Sequence, residues 1–223
     1  MRRAIFIFAL VLAAPCAPLA LGRSTPTPPQ STRVVDRIVA RIEGDIILQS
    51  QVRELGAFQV LVEGHAESDD KLLDELIEQW VVEPEATASH FPQPAKSEVD
   101  REIGRIQQSF ASPEKYAARL NELGLSAAQA RETLTRQIYV ERYVDYKFRP
   151  SVRIEPADID KYYKNELLPE LAKNNQPAPA QSAVEEKIRE LLIQRGISDL
   201  TAKWLDDTKS RLKIEIAPPG GKP

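Results

Sequence analysis

The chain has 223 residues, with 30 basic against 33 acidic side chains, two histidines and one cysteine. A net charge of −3 argues against a nucleic-acid partner, which calls for a clustered basic face. The lone cysteine excludes a disulfide framework, so folding must rest on burial, for which 42% hydrophobic residues over this length suffice.

Residues 1–22 read as a secretory signal peptide: Arg2 and Arg3 form a basic start, an apolar run reaches Ala14, and Ala20, Leu21 and Gly22 provide the cleavage site. The run is shorter than the ~20 residues of a spanning helix, and prolines interrupt its far end. Pro15 stands where a lipid-anchor signal wants a small residue before Cys16. Losing Arg2 and Arg3 leaves 28 basic against 33 acidic residues, a net charge of −5 for the exported chain. No later apolar stretch approaches spanning length, so a soluble mature protein is expected. Residues 23–33 form a Pro/Thr-rich linker, extended and solvated.

From Val34 to Val52 the sequence VVDRIVARIEGDIILQSQV reads as a strand, a Gly44-Asp45 turn, a second short strand and a helix capped by Ser50. Ile38, Ala40 and Ile42 alternate with Arg37, Val39 and Arg41, the period of a half-buried strand. At the far end Leu212, Ile214 and Ile216 alternate with charged residues. This predicts a third strand that joins the hairpin and brings both chain ends into one core.

Between them lie helices. Val52, Leu55, Phe58 and Val62 follow helical spacing up to Gly64, and Asp69 or Asp70 opens a second helix with a dense stripe from Leu72 to Val81, which Pro84 ends or kinks. Residues 88–96 form a Pro-rich loop, and Ser97 opens a third helix running to about Phe110. Ser112-Pro113-Glu114 starts a fourth that Gly124 stops. Ser126 and Gln129 make a capping box for the longest helix, ending near Phe148 and Pro150. Glu155-Pro156 opens another through Leu167, perturbed by Pro169. After the Pro-rich stretch that ends at Gln181 comes the face of Val184, Ile188, Leu191 and Leu192. Gly196 is expected to break that helix and Ser198 to cap a last one carrying Leu200, Trp204 and Thr208. The fold class is thus mainly α, with a small antiparallel sheet.

The order of signal peptide, VVDRIVARIEGDIILQSQV hairpin, capped helices, FRPSVRIEPADIDKYYKNE and a closing helix and strand resembles the SurA-like family of periplasmic chaperones. The likeness is to their N-terminal chaperone domain with the C-terminal helix and strand that pack onto it, covering residues 34–216. It implies a domain over 34–217 with a helical core at about 50–168 and a short tail at 218–223. The family usually inserts a parvulin-type prolyl isomerase domain before the closing helix. Here that interval is only residues 169–183, whereas such a domain needs on the order of 100 residues. Gln51 and Pro84 depart from the family pattern. The resemblance implies an ATP-independent periplasmic holdase for unfolded outer-membrane proteins, without isomerase activity, cofactor, nucleotide or nucleic acid. An adaptor that binds one folded partner is the alternative, and a prolyl isomerase the weaker one.

Sites of chemistry are scarce in the residues themselves. His65 and His90 stand singly beside predicted loops, and imidazole needs an orienting partner before it does acid–base work. There is no Walker loop and no Gly-x-Ser-x-Gly elbow. Glu185-Glu186 and Asp206-Asp207 splay apart on a helix and read as solvated faces. The candidate peptide-binding residues are aromatic: Tyr139, Tyr143 and Tyr146 at i, i+4 and i+7 on the longest helix, with Phe58, Phe110 and Tyr116 on neighbouring elements. A tyrosine stripe can hold an extended client while keeping its polar tips wet, or it can be an ordinary core stripe. Trp80 and Trp204 read as structural.

Overall fold

In the computed structural model, residues 36–218 are described; the expected signal peptide, Cys16, the Pro/Thr linker and the last five residues lie outside them. Strand β1 (Ile38–Ile42) pairs antiparallel with β2 (Asp45–Leu48). The turn is Glu43-Gly44, one residue earlier than expected. Ile42 pairs with Asp45, and both Glu43 (φ 50°) and Gly44 (φ 102°) are left-handed, the backbone of a type I′ hairpin. A non-glycine residue is held there because the Glu43 carboxylate accepts from the Lys213 amide at 2.6 Å.

Lys213 precedes β3 (Ile214–Ile216), which pairs antiparallel with the free side of β1 and gives the strand order β2-β1-β3. The two ends of the described chain therefore share one sheet, as the sequence predicts. Strict alternation fails at one point. The register slips between Ile38 and Ala40, leaving Val39 as an extra residue, and this bulge lets Val39 and Ala40 both turn inward, 5% and 0% exposed.

Helix α1 (Gln49–Glu63) begins before Ser50, and its cap is not the Ser50 hydroxyl. Gln51 Oε1 accepts from the Leu48 amide at 2.8 Å, and Asp36 Oδ1 accepts from the Ser50 amide at 3.2 Å. Hydrogen bonds from Ser50, its side chain first and then its backbone amide, hold the Asp36 carboxyl below its ordinary range. Val52, Leu55, Phe58 and Leu61 are buried, while Val62 is exposed.

Helix α2 (Asp69–Ala88) runs through Pro84 rather than ending there. The ring forfeits one backbone hydrogen bond, but it faces solvent, and Val81, Val82 and Ala86 are buried around it. The helix closes in a Schellman motif: the Phe91 amide donates to Ala86 O and the His90 amide to Thr87 O, both at 3.0 Å, with His90 left-handed at φ 56°.

Helix α3 (Lys96–Gln108) starts ahead of Ser97, with Ala95 at the cap position. The next two starts are as predicted. Ser112 Oγ accepts from the Lys115 amide ahead of α4 (Pro113–Glu122), and Ser126 with Gln129 forms the capping box of α5 (Ala127–Phe148). A 3-10 turn, Arg149–Ser151, follows. Helix α6 (Pro156–Tyr162) continues through a π-helical turn, Tyr163–Leu167, into α7 (Leu168–Lys173). Pro169 is accommodated because that wider turn carries the Leu168 amide back five residues to Tyr163 O, away from a four-residue ladder that a proline ring obstructs.

The closing helix corrects the sequence reading: α8 (Gln181–Lys209) is one unbroken helix in which Gly196 makes no break and Ser198 no cap. Glycine is present for space. A Cβ at residue 196 would lie 2.7 and 3.0 Å from the two γ-methyls of Val152, which follows the 3-10 turn. Gly196→Ala gains ~1 kcal/mol of helix propensity but overpacks a stiff β-branched neighbour at a cost of roughly 1–3 kcal/mol. A net loss of about 1 kcal/mol is expected in urea unfolding. Restored or increased stability when the same change is made in a Val152→Ala background would identify the contact as the cause.

Three clusters form the interior. The sheet packs on α1 and α2 through Ala40, Ile42, Val52 and Leu76; Phe58, Tyr116, Leu120 and Leu125 join α1 to α4 and the start of α5; Val82, Tyr139, Tyr143 and Leu205 join α2, α5 and α8.

Candidate functional site

Helix α5 is the central strut, in contact with α1, α2, α3 and α8. Its tyrosines do not share one environment. Tyr139 and Tyr143 are 4% and 3% exposed, packed with α2 and α8, whereas Tyr146 is 64% exposed. Phe91, delivered by the Schellman turn at the end of α2, binds the three together: its ring centroid lies 5.9 Å from Tyr139, 5.4 Å edge-on from Tyr143 and 5.2 Å from Tyr146. The Tyr139 hydroxyl donates to Phe91 O at 3.4 Å. Burial raises the pKa of Tyr143.

The six aromatic candidates therefore divide. Phe58 and Tyr116 are interior residues of another cluster, and Phe110 is half-buried edge-on to Tyr116 at 5.5 Å. Tyr139 and Tyr143 take the core reading of the stripe, because α2 and α8 close over that face. Tyr146 alone among the six presents most of its ring to solvent.

Beside Tyr146 lies a groove of ≈ 900 Å³ between α3, α5 and α8. Its apolar lining is Phe91, Leu134, Ile138, Val144, Tyr146 and Ile197. Glu98, Glu102, Glu141, Arg142, Asp145 and Arg149 supply the charged part. Arg142 donates to Glu98 at 3.0 Å with its guanidinium 5.7 Å from the centre of the Phe91 ring. Arg149 ties α5 to α8: Nη2 reaches Asp145 Oδ1 and Glu190 Oε1, each at 2.8 Å. Hydrogen bonds from Arg149 pull the Glu190 carboxyl down to about 2.

Phe91, Leu134, Ile138 and Ile197 are groove residues that sequence reasoning passed over. A signal existed for three of them. Phe91 is the one aromatic in the Pro-rich loop, and Leu134 and Ile138 stand at i, i+4 as a second apolar stripe beside the tyrosines. A smaller cavity of ≈ 470 Å³ lies between α2 and α5, but the arginines that line it are already engaged, Arg131 by Asp100 at 2.7 Å and Arg136 by Glu83 at 3.0 Å. His65 and His90 are exposed on loops.

Among the described residues no group of three or more His, Cys, Asp or Glu is placed to hold a metal ion, and no helix is long and apolar enough to cross a membrane. What the arrangement offers chemically is a wide, partly apolar trough with an aromatic edge and a hydrogen-bonding rim, the kind of surface that binds a chain segment by shape and burial. Compared with known proteins, the chain matches no family model and no curated protein.

Proposed function

We propose that the protein is an ATP-independent holdase that binds unfolded or extended segments of envelope proteins, outer-membrane proteins above all, in the groove between α3, α5 and α8. The observation that carries this reading is the exposed Tyr146 ring at the edge of a trough of ≈ 900 Å³. The exposed ring joins Phe91, Leu134, Ile138 and Ile197 in one partly apolar concavity, the kind of site in which ligands bind. Supporting it are the order of sequence features that resembles SurA-like chaperones and the leader expected at residues 1–22, from which a periplasmic activity is proposed. Only seven residues, 174–180, separate α7 from α8, so an isomerase domain has no room there and binding without catalysis is the activity proposed.

The purified protein is expected to suppress aggregation of an outer-membrane protein diluted from denaturant, at stoichiometric ratio and without nucleotide. Tyr146→Ala is expected to weaken this about fivefold or more, since an anchoring aromatic carries about 1–3 kcal/mol of a binding contact. Tyr146 is mostly exposed, so the substitution leaves the core intact, and a thermal melt superimposing on wild type would establish that. A photoreactive residue belongs at Tyr146 rather than at the buried Tyr143. Many unfolded clients captured there support the holdase, and one stoichiometric folded partner would replace it with the adaptor reading.

A further inference from the structure

We infer that this groove prefers extended segments that combine apolar residues with lysine or arginine and turns away acidic ones; the inference rests on the groove being the client site. Four carboxylates and two guanidinium groups line the trough, an excess of two negative charges. Neither cation is free to meet an anionic client. Arg142 is held by Glu98 and stacked near Phe91, and Arg149 is shared between Asp145 and Glu190. An acidic segment would have to break these pairs as well as face the remaining carboxylates.

The negative side is available. Glu141 lines the groove and is exposed, with no ion-pair partner among the described residues. Glu102 is held only by Arg105, one turn along the same helix, whose side chain is 67% exposed, a pair of the kind that contributes little. The Tyr146 ring adds a face on which an ammonium or guanidinium can sit. Apolar burial would supply the attraction common to all clients, while the unmatched carboxylates would discriminate among them, since electrostatic complementarity governs selectivity more than affinity.

The test uses the full purified protein and three fluorescent twelve-residue peptides of one aromatic and aliphatic composition, each carrying a central pair of Lys, Gln or Glu. Binding in the order Lys, Gln, Glu is expected, with the first about tenfold tighter than the last at low salt and the gap closing as salt is raised. Glu141→Lys should reduce or invert that order, with Glu141→Gln intermediate; the position is exposed surface, so both variants leave the fold unchanged. Equal binding of all three peptides by the wild type would overturn the charge preference and leave the groove as the client site. An order unchanged in Glu141→Lys would overturn the assignment of the preference to this groove. Failure of all three peptides to bind would overturn the client site itself.

Discussion

Ile42→Ala is expected to lower stability by about 3 kcal/mol, in the middle of the range for truncating a large aliphatic residue in a closed core. Ile42 is 0% exposed on the central strand of the sheet, paired with Asp45 on one side and Ile214 on the other. The cavity would open where β1, α1 and α2 meet, with neighbours held by ladder hydrogen bonds on both edges and little freedom to collapse. Ile216→Ala is the control. That side chain sits on the same sheet but is 63% exposed, so its loss should change stability by no more than about 0.5 kcal/mol. Urea unfolding of both variants measures the contrast. Equal midpoints would mean that the sheet joining β1 to β3 contributes no core of its own.

The second large effect concerns Glu75, a partly buried carboxylate where α1, α2 and α5 meet. Three carboxamides donate to it, Gln59 at 3.1 Å, Gln79 at 3.3 Å and Gln137 at 3.4 Å. Burial is the largest influence on its pKa and raises it, with Glu78 adding to the rise and the three glutamines opposing; among the described residues no cation contributes. Glu75→Ala would leave these donors without their acceptor, Gln79 among them at only 6% exposed, and should cost about 1–3 kcal/mol. Glu75→Gln discards the buried charge but turns one acceptor oxygen into a donor facing Gln59, whose own Oε1 already accepts from the Glu67 amide; it should lie between Glu75→Ala and wild type at low pH and gain on wild type as the carboxylate ionises.

The pH dependence separates the two causes. A carboxyl whose pKa is raised by folding binds its proton more readily in the native state, so its contribution is greatest below the ordinary value of 4.5 and is lost as pH rises through the higher native midpoint. The stability of Glu75→Gln relative to wild type should therefore rise as pH increases from below 4.5 to neutrality. Comparing the two proteins at each pH cancels the carboxylates with the opposite behaviour. Asp36 and Asp100, for instance, are lowered by hydrogen bonds, first from Ser50 and from Lys96 respectively, and stabilise above their unfolded values. A difference between variant and wild type that stayed flat across this range would show that Glu75 is as well solvated in the fold as out of it.

Much of the architecture was legible because it is written locally. A serine or Ser-Pro at a helix start, a glycine with positive φ at its end and the alternation of apolar residues in a strand all act within a few residues, and α4, α5 and the three-strand sheet lie where those signals put them. The turn was misplaced by one residue because Glu43 adopts a conformation that glycine or asparagine usually takes, stabilised by Lys213, 170 residues away. Local signals could not reveal such a partner. The same limit explains the cap of α1. Its anion comes from Asp36, on the far side of the hairpin, and not from the serine beside the helix.

Gly196 shows the other way in which a local rule yields. Its cost in a helix, ~1 kcal/mol, is real, yet continuous packing of Ile188, Ile197 and Leu205 on either side outweighs it, and the missing side chain becomes the place where Val152 fits. Pro84 and Pro169 are carried within helices for related reasons, one facing solvent and one behind a π-helical turn.

That the chain is mainly helical, that the two ends of its described part close one sheet, and that aromatic side chains gather along its longest helix can be read from the residues alone, because periodicity and caps are properties of neighbouring residues. Which aromatics are available depends on the packing of distant elements. Tyr139 and Tyr143 share their helical face with Tyr146, and whether a ring is core or surface depends on what crosses that face. Helices α2 and α8 cover the first two, and Phe91 lies against the third. That difference, set by residues distant in the chain, separates a packed stripe from an open groove.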